Sequence, residues 1–162
     1  MTDNQTHSPV KFEDLDIFDL LRLSHLTPEK KAERIAEIQM IVVNNFFLDD
    51  LPGLVSESDL KKFDELAKDA SKGEELKTLL HDKVPNFDQI IYEKMLVAKK
   101  EIVLQNMQTR LDINSKEASD PEVQKDEKRM KQLSEEKDKL DKIVTAINSN
   151  DWTTVSGLIN TL

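Results

Sequence analysis

Three glycines and five prolines are all that punctuate a chain of 162 residues. After Pro85 no glycine or proline occurs before Pro121, and after Pro121 none before Gly157. Apolar side chains recur at three- and four-residue spacing through both stretches, and polar/apolar alternation over a strand length is missing, so the pattern is helical throughout. The expected fold class is all-α: an N-terminal helical bundle, a long antiparallel coiled-coil-like hairpin and a short C-terminal helix.

The hairpin is the longest feature. Residues 87–112 carry Phe87, Ile90, Ile91, Met95, Ala98 and Ile102 in series, with Val103, Leu104, Met107 and Leu111 continuing on a slightly rotated face, a rod of roughly 40 Å at helical rise. A loop is expected around 114–119, and Asp120-Pro121 reads as a cap followed by proline that opens the second arm, to about Asn148. On that arm Val123, Met130 and Val144 share one heptad position with Lys137, and Leu133, Leu140 and Ile147 share another with Asp126. A short loop makes the arms antiparallel. The expected seam is Ile91, Met95, Ala98, Ile102, Met130, Leu133, Leu140, Val144 and Ile147, weakened by Lys137 and Asp126.

Upstream, residues 1–10 offer nothing to bury and read as a disordered tail. Residues 12–26 read as one acidic amphipathic helix through Leu15, Phe18, Leu20 and Leu21. Thr27 caps a helix with Pro28 at its first position, expected to run to about Asp49. Met40, Ile41, Val42, Val43, Phe46, Phe47 and Leu48 surround its second half, which predicts a central core helix. Leu51-Pro52-Gly53 is expected to break it, Ser56 to cap the next, whose apolar stripe is Leu60, Phe63, Leu66, Ala67 and Ala70, and Ser71 with Glu74 to open a shorter one through Leu76, Leu79 and Leu80 that ends near Pro85. Asp151 caps a final helix whose Trp152, Val155, Leu158, Ile159 and Leu162 predict packing back on the bundle. The expected domains are 11–85, 86–148 and 151–162.

Composition limits the function classes. Acidic residues number 32 against 23 basic ones, for a formal charge of −9, and no third of the chain is basic, so counterion release on nucleic acid is disfavoured. The run Lys125, Lys128, Arg129, Lys131, Lys137, Lys139 and Lys142 alternates with acids at helical pairing distance. No apolar stretch approaches the roughly 20 residues of a membrane span, residues 1–9 lack a secretory signal pattern, and there is no cysteine. The expectation is a cytoplasmic protein with protein partners and no membrane partner, nucleic acid being disfavoured.

Catalytic and cofactor signals are missing. His7 lies in the tail, and helix-end capping accounts for His25 and His81 as well as catalysis does. Asp112, Asn114 and Asp120 fall at positions 1, 3 and 9 of a calcium loop, but Lys116, Glu117 and Val123 stand at positions 5, 6 and 12, where an oxygen donor, glycine and bidentate glutamate are needed. Phosphate-loop, dinucleotide, zinc-protease and nucleophile-elbow motifs do not occur. No catalytic residue, cofactor or metal is expected.

Residues 12–104, with Asp19-Leu20-Leu21-Arg22-Leu23 leading into Leu26-Thr27-Pro28-Glu29-Lys30 and later Leu79-Leu80-His81-Asp82-Lys83-Val84-Pro85-Asn86-Phe87-Asp88, resemble small helical proteins of unknown function from uncultivated candidate-phyla bacteria. The resemblance implies an all-helical fold and a bacterial origin, and brings no activity or functional residue.

The leading expectation is a non-catalytic protein-interaction module, an adaptor or structural subunit working through charged helical surfaces, including homodimerisation through the hairpin seam. The alternative is a small acidic regulator that docks its N-terminal helix into an enzyme or nucleic-acid machine, with Phe12, Leu15, Phe18, Leu21 and Trp152 as docking residues. An enzyme with an unrecognised carboxylate site ranks third.

Overall fold

The computed structural model describes residues 10–162, so the expected tail lies almost wholly outside the described residues. It is all-α, with no strand among the described residues. The helices are α1 (Ile17–Leu20), α2 (Pro28–Asn45), α3 (Leu51–Leu54), α4 (Glu57–Ala67), α5 (Gly73–Lys83), α6 (Phe87–Ala118), α7 (Glu127–Asn148) and α8 (Trp152–Ile159). They fall into two compact units, Thr27–Ala98 and, among the described residues, 10–26 with Lys99–Leu162. The division differs from a boundary at residue 85, because the first turns of α6 belong to one unit and its remainder to the other.

In the Thr27–Ala98 unit, the Lys30 amide donates to the Thr27 hydroxyl at 3.4 Å and opens α2 beside Pro28. Leu51-Pro52-Gly53 does not end the helical path. A π-turn, Phe46–Asp50, leads into α3, where Pro52 stands in a first turn that needs no amide from it. The core is Phe46, Leu51, Phe63, Leu80 and Val84, with Phe47, Phe87, Ile90 and Ile91 packed on it. Phe46 meets Phe47 and Phe87 edge-on at 5.9 and 5.3 Å, an arrangement that suits the aromatic quadrupole. Lys94 bridges to Asp50 at 2.7 Å.

The central-core expectation for α2 is overturned. Val42 is the one buried residue between Pro28 and Asn45, whereas Met40, Ile41 and Leu48 are 60, 57 and 74% exposed. An all-round apolar sequence requires cover on every side, and the unit supplies it on one side only.

In the other unit, residues 99–118 of α6 run antiparallel to α7. The Asn114 amide donates to the Leu133 carbonyl at 3.0 Å, Arg129 pairs with Glu117 at 2.6 Å, and Lys100 reaches Asn150 at 2.8 Å, so numbers fall on one arm as they rise on the other. The expected loop at 114–119 is helix as far as Ala118, and Asn114 is 4% exposed. Asp126 caps α7 through the Arg129 amide at 3.0 Å, so the second arm starts later than Pro121. Asp151 caps α8 through the Thr154 amide at 3.1 Å, and α8 packs back on α7. Residues 12–26 are not one helix. Phe12–Asp14 is a 3-10 turn, Asp16 accepts from the Phe18 amide at 2.6 Å and starts α1, and the chain leaves the helix at Arg22.

The seam needs correction as well. Leu133, Leu140 and Ile147 are buried as expected, with Met130 and Val144 half-buried, but Ile143 and Ala146 are buried beside them. On α6 the buried positions are Val103, Met107 and Asn114. Ile91 packs on the Phe46 core instead, and Met95 and Ala98 also fall in the Thr27–Ala98 unit, leaving Ile102 half-buried in the hairpin. Lys137 is exposed, paired with Asp141 at 2.5 Å, and weakens nothing inside.

Candidate interaction surfaces

The docking residues expected at the two ends of the chain are brought together, but on each other. The Phe12 ring stacks on Trp152 with centroids 4.0 Å apart and planes inclined by 17°. Phe18 and Trp152 are buried, and Leu15 and Leu21 are half-buried. Lys99 stands over the Phe12 ring at 4.5 Å, donates to the Phe12 carbonyl at 2.7 Å and also donates to the Leu15 carbonyl. Burial pushes its ammonium below the ordinary lysine value, opposed by the charges of Asp16, Glu13 and Asp14. Val10 joins the same edge through its amide on the Thr153 hydroxyl at 3.3 Å. The apolar faces of residues 12–21 and of α8 therefore lie against their own unit, with Phe18 and Trp152 buried there.

The Thr27–Ala98 unit carries surface of a different kind. Ser56 accepts from the Asp59 amide at 3.2 Å and donates to its carboxylate at 2.7 Å, fixing the start of α4. Asp69 accepts from the Ser71 hydroxyl at 2.7 Å and amide at 3.0 Å; the hydroxyl first and the amide second hold its carboxyl below the usual aspartate value, and they turn the chain into α5. Phe63 of α4 and Leu80 of α5 go inward, and the neighbouring stripe residues Leu66 and Leu79 stay half-exposed. These two leucines floor a groove of about 660 Å³ between the helices, rimmed by Glu65, Glu74, Glu75 and Asp82 against Lys62. Glu75 and Asp82 follow from helix register as i−4 and i+3 neighbours of Leu79, and Lys62 as the i−4 neighbour of Leu66, whereas Glu65 and Glu74 border the groove from adjoining positions. Of these only Glu74 and Glu75 carry a sequence signal, as first-turn acids on α5, so the groove itself was missed.

A second surface lies on α2 and α3. Lys30, Glu33, Arg34, Glu37, Met40, Ile41 and Asn44 share the exposed side of α2, and Ile35, Ile38, Val42 and Val43 take the covered side. The outer face is charged in its first half, with Arg34 paired to Glu37 at 2.8 Å, and apolar in its second. Leu48 and Leu54, 74 and 50% exposed, extend the apolar part past the π-turn.

His25 and His81, the two histidines among the described residues, stand in different units. His25 borders a cavity of about 580 Å³ with Asp14, Asp16 and Asp19, but the Phe18 amide holds Asp16 and the Ser24 hydroxyl holds Asp19 at 2.5 Å. His81 is exposed, 3.9 Å from Asp88 and edge-on to Phe87. His7 lies outside the described residues. Among the described residues no three histidine or carboxylate side chains are grouped to hold a metal ion, and no helix is long and apolar enough to cross a membrane.

No protein-family model matches the chain, and neither a curated protein nor a solved structure does.

Proposed function

We propose that the chain is a non-catalytic protein-interaction module of the cytoplasm, an adaptor that takes a cationic amphipathic helix of a partner protein into the groove between α4 and α5. The observation that carries this reading is the combination of an apolar floor, Leu66 and Leu79, with a rim of four carboxylates and one ammonium. A helix laid in such a groove places apolar side chains at i, i+3, i+4 and i+7 on the leucines, and lysines or arginines on its flanks meet Glu65, Glu74, Glu75 and Asp82. The acidic rim steers basic partners and repels acidic ones. Nucleic acid is the wrong sign for this surface, which supports a protein as the partner. The exposed α2–α3 ridge gives the same unit a second contact face, which suits an adaptor more than a single-partner inhibitor.

The test is a titration of the full chain with two labelled model helices of equal length, one built of leucine and lysine, the other of leucine and glutamate, read by fluorescence anisotropy. The cationic helix binds saturably and weakens between about 50 and 500 mM salt as screening grows, whereas the anionic one does not bind. The double substitution Glu65→Lys with Glu75→Lys lowers affinity at least about tenfold through like-charge repulsion while leaving far-UV circular dichroism unchanged. Equal binding of both helices, or a double variant that binds as the native chain does, sinks the proposal.

A further inference from the structure

Three residues take positive φ among the described ones: Asn86 at 65°, Asn150 at 58° and Arg22 at 58°. Asparagine tolerates the left-handed region because its short side chain bonds locally, and glycine is the usual residue there. Arginine has no such reason. Both Arg22 and Asn150 stand at the same kind of helix end. The Arg22 amide bonds the Asp19 carbonyl at 3.0 Å and the Leu23 amide bonds that of Phe18 at 2.6 Å; after α7 the Asn150 amide bonds Ile147 at 3.1 Å and the Asp151 amide bonds Ala146 at 2.8 Å. The backbone thus asks for glycine or asparagine at residue 22, and the sequence supplies a guanidinium.

That guanidinium borders a cavity of about 320 Å³ in the unit made by residues 10–26 and Lys99–Leu162, together with Arg110, Asn114, Glu117, Arg129 and Glu136. Arg129 is occupied, since its Nε and Nη2 reach Glu117 at 2.7 and 2.6 Å. Asn114 is occupied through its amide on the Leu133 carbonyl. The guanidinium groups of Arg22 and Arg110 have no hydrogen-bond or ion-pair partner among the described residues. With the Arg129–Glu117 pair neutral, two positive groups face one negative group, Glu136, in a protein whose overall charge is −9. On its far side Arg22 borders the cavity of Asp14, Asp16 and Asp19, two of whose carboxylates are held by Phe18 and Ser24.

We propose that this cavity binds a phosphate dianion clamped between Arg22 and Arg110. Planar guanidinium forks bond tetrahedral oxyanions in bidentate fashion, and two forks on one group suit a ligand with three or more acceptor oxygens and two negative charges. The site lies in a different unit from the α4–α5 groove and does not depend on it. A free phosphate and a phosphomonoester on a larger molecule share this chemistry.

The experiment is a titration of the 15N-labelled full chain with sodium phosphate at constant ionic strength, followed by amide shifts. Amides of Arg22, Leu23 and Arg110 move saturably below about 20 mM ligand, and the same titrations with phosphoserine and malonate assign the source. Tighter binding of phosphoserine assigns the site to a phosphorylated molecule, equal or weaker binding assigns it to free phosphate, and binding of malonate, a dianion of two planar carboxylates, as tight as phosphate overturns the assignment to phosphate. Arg110→Gln and Arg22→Asn each weaken binding at least about tenfold by removing charge-assisted bonds. Arg22→Asn does so with a melting temperature equal to or above that of the native chain, because asparagine suits the left-handed backbone; a misfolded variant cannot produce that pairing of effects. Glu136→Gln tightens binding. Absence of saturable shifts in the native chain, identical affinities in the arginine variants, or a Glu136→Gln protein that loses stability with unchanged affinity would each show that the arginines serve the fold alone.

Discussion

Replacement of Leu140 by alanine tests most directly the core of the unit that holds α7 and α8. Leu140 has no exposure, and its neighbours on the same face of α7, Ile143 and Ile147, have none either. Leucine-to-alanine changes in cores remove about 2–5 kcal/mol, a transfer contribution plus a cavity contribution that grows when the surroundings cannot collapse. Fully buried branched neighbours one and two turns away leave little room for collapse, which places the expected loss at about 3–4 kcal/mol, in the upper half of that range. Trp152 is the chain's one tryptophan and is 6% exposed in the helix that packs on α7, so its emission reports unfolding of this unit alone. With a urea dependence of about 2 kcal/mol per molar, the midpoint falls by about 1.5–2 M. Ser134→Ala, on the exposed side of the same helix, stays within about 0.5 kcal/mol of the native chain. A Leu140→Ala midpoint shift under about 0.5 M would mean that Leu140, Ile143 and Ile147 do not form the packed core of this unit.

Three further outcomes follow from single observations. Asn106 has a buried Oδ1 with no hydrogen-bond partner among the described residues, and an orphaned acceptor costs about 1–3 kcal/mol; Asn106→Leu therefore leaves stability equal or higher by thermal melting, and a drop above about 1 kcal/mol contradicts the orphan. The Thr154 hydroxyl, and then its amide, hold the Asp151 carboxyl below the ordinary value of 3.8. A folded value below the unfolded one gives stability that is present above pH 3.8 and lost as pH falls through the folded value, so Asp151→Asn, which keeps the cap, flattens the acid limb of a Trp152-monitored melt; an unchanged limb refutes the assignment. Leu48→Lys, at 74% exposure, changes the melting free energy by no more than about 0.5 kcal/mol, whereas a loss above about 1 kcal/mol would restore α2 to the centre of a core.

What could be read from the chain beforehand was local chemistry. The Thr27, Ser56 and Asp151 caps stand where their residue types and a following helix require, because a cap is decided by a side chain and an amide two or three residues away. Errors arose wherever a distant partner decides the outcome. Asn114 looks like a loop residue until the Leu133 carbonyl, nineteen residues on, satisfies its amide inside a helix. Pro52-Gly53 looks like a terminator until a π-turn puts the proline into a first turn. Met40, Ile41 and Leu48 look like core because hydropathy states what a side chain prefers, not whether anything arrives to cover it.

The same distinction separates the two kinds of surface that matter for function. Residues 12–21 and α8 have the amphipathic pattern of docking helices, yet their apolar faces close on each other through Phe12 and Trp152. The groove of Leu66 and Leu79 comes from helices with equally ordinary patterns, and it stays open because α4 and α5 turn Phe63 and Leu80 inward and leave the next leucine on each stripe outside. Register then sets Lys62, Glu75 and Asp82 along that groove. On the proposed reading, a partner helix has to match the spacing of α4 against α5, and changing the sign of Glu65 and Glu75 is expected to alter its binding without touching the Phe46 and Phe63 core that holds the groove's walls in place.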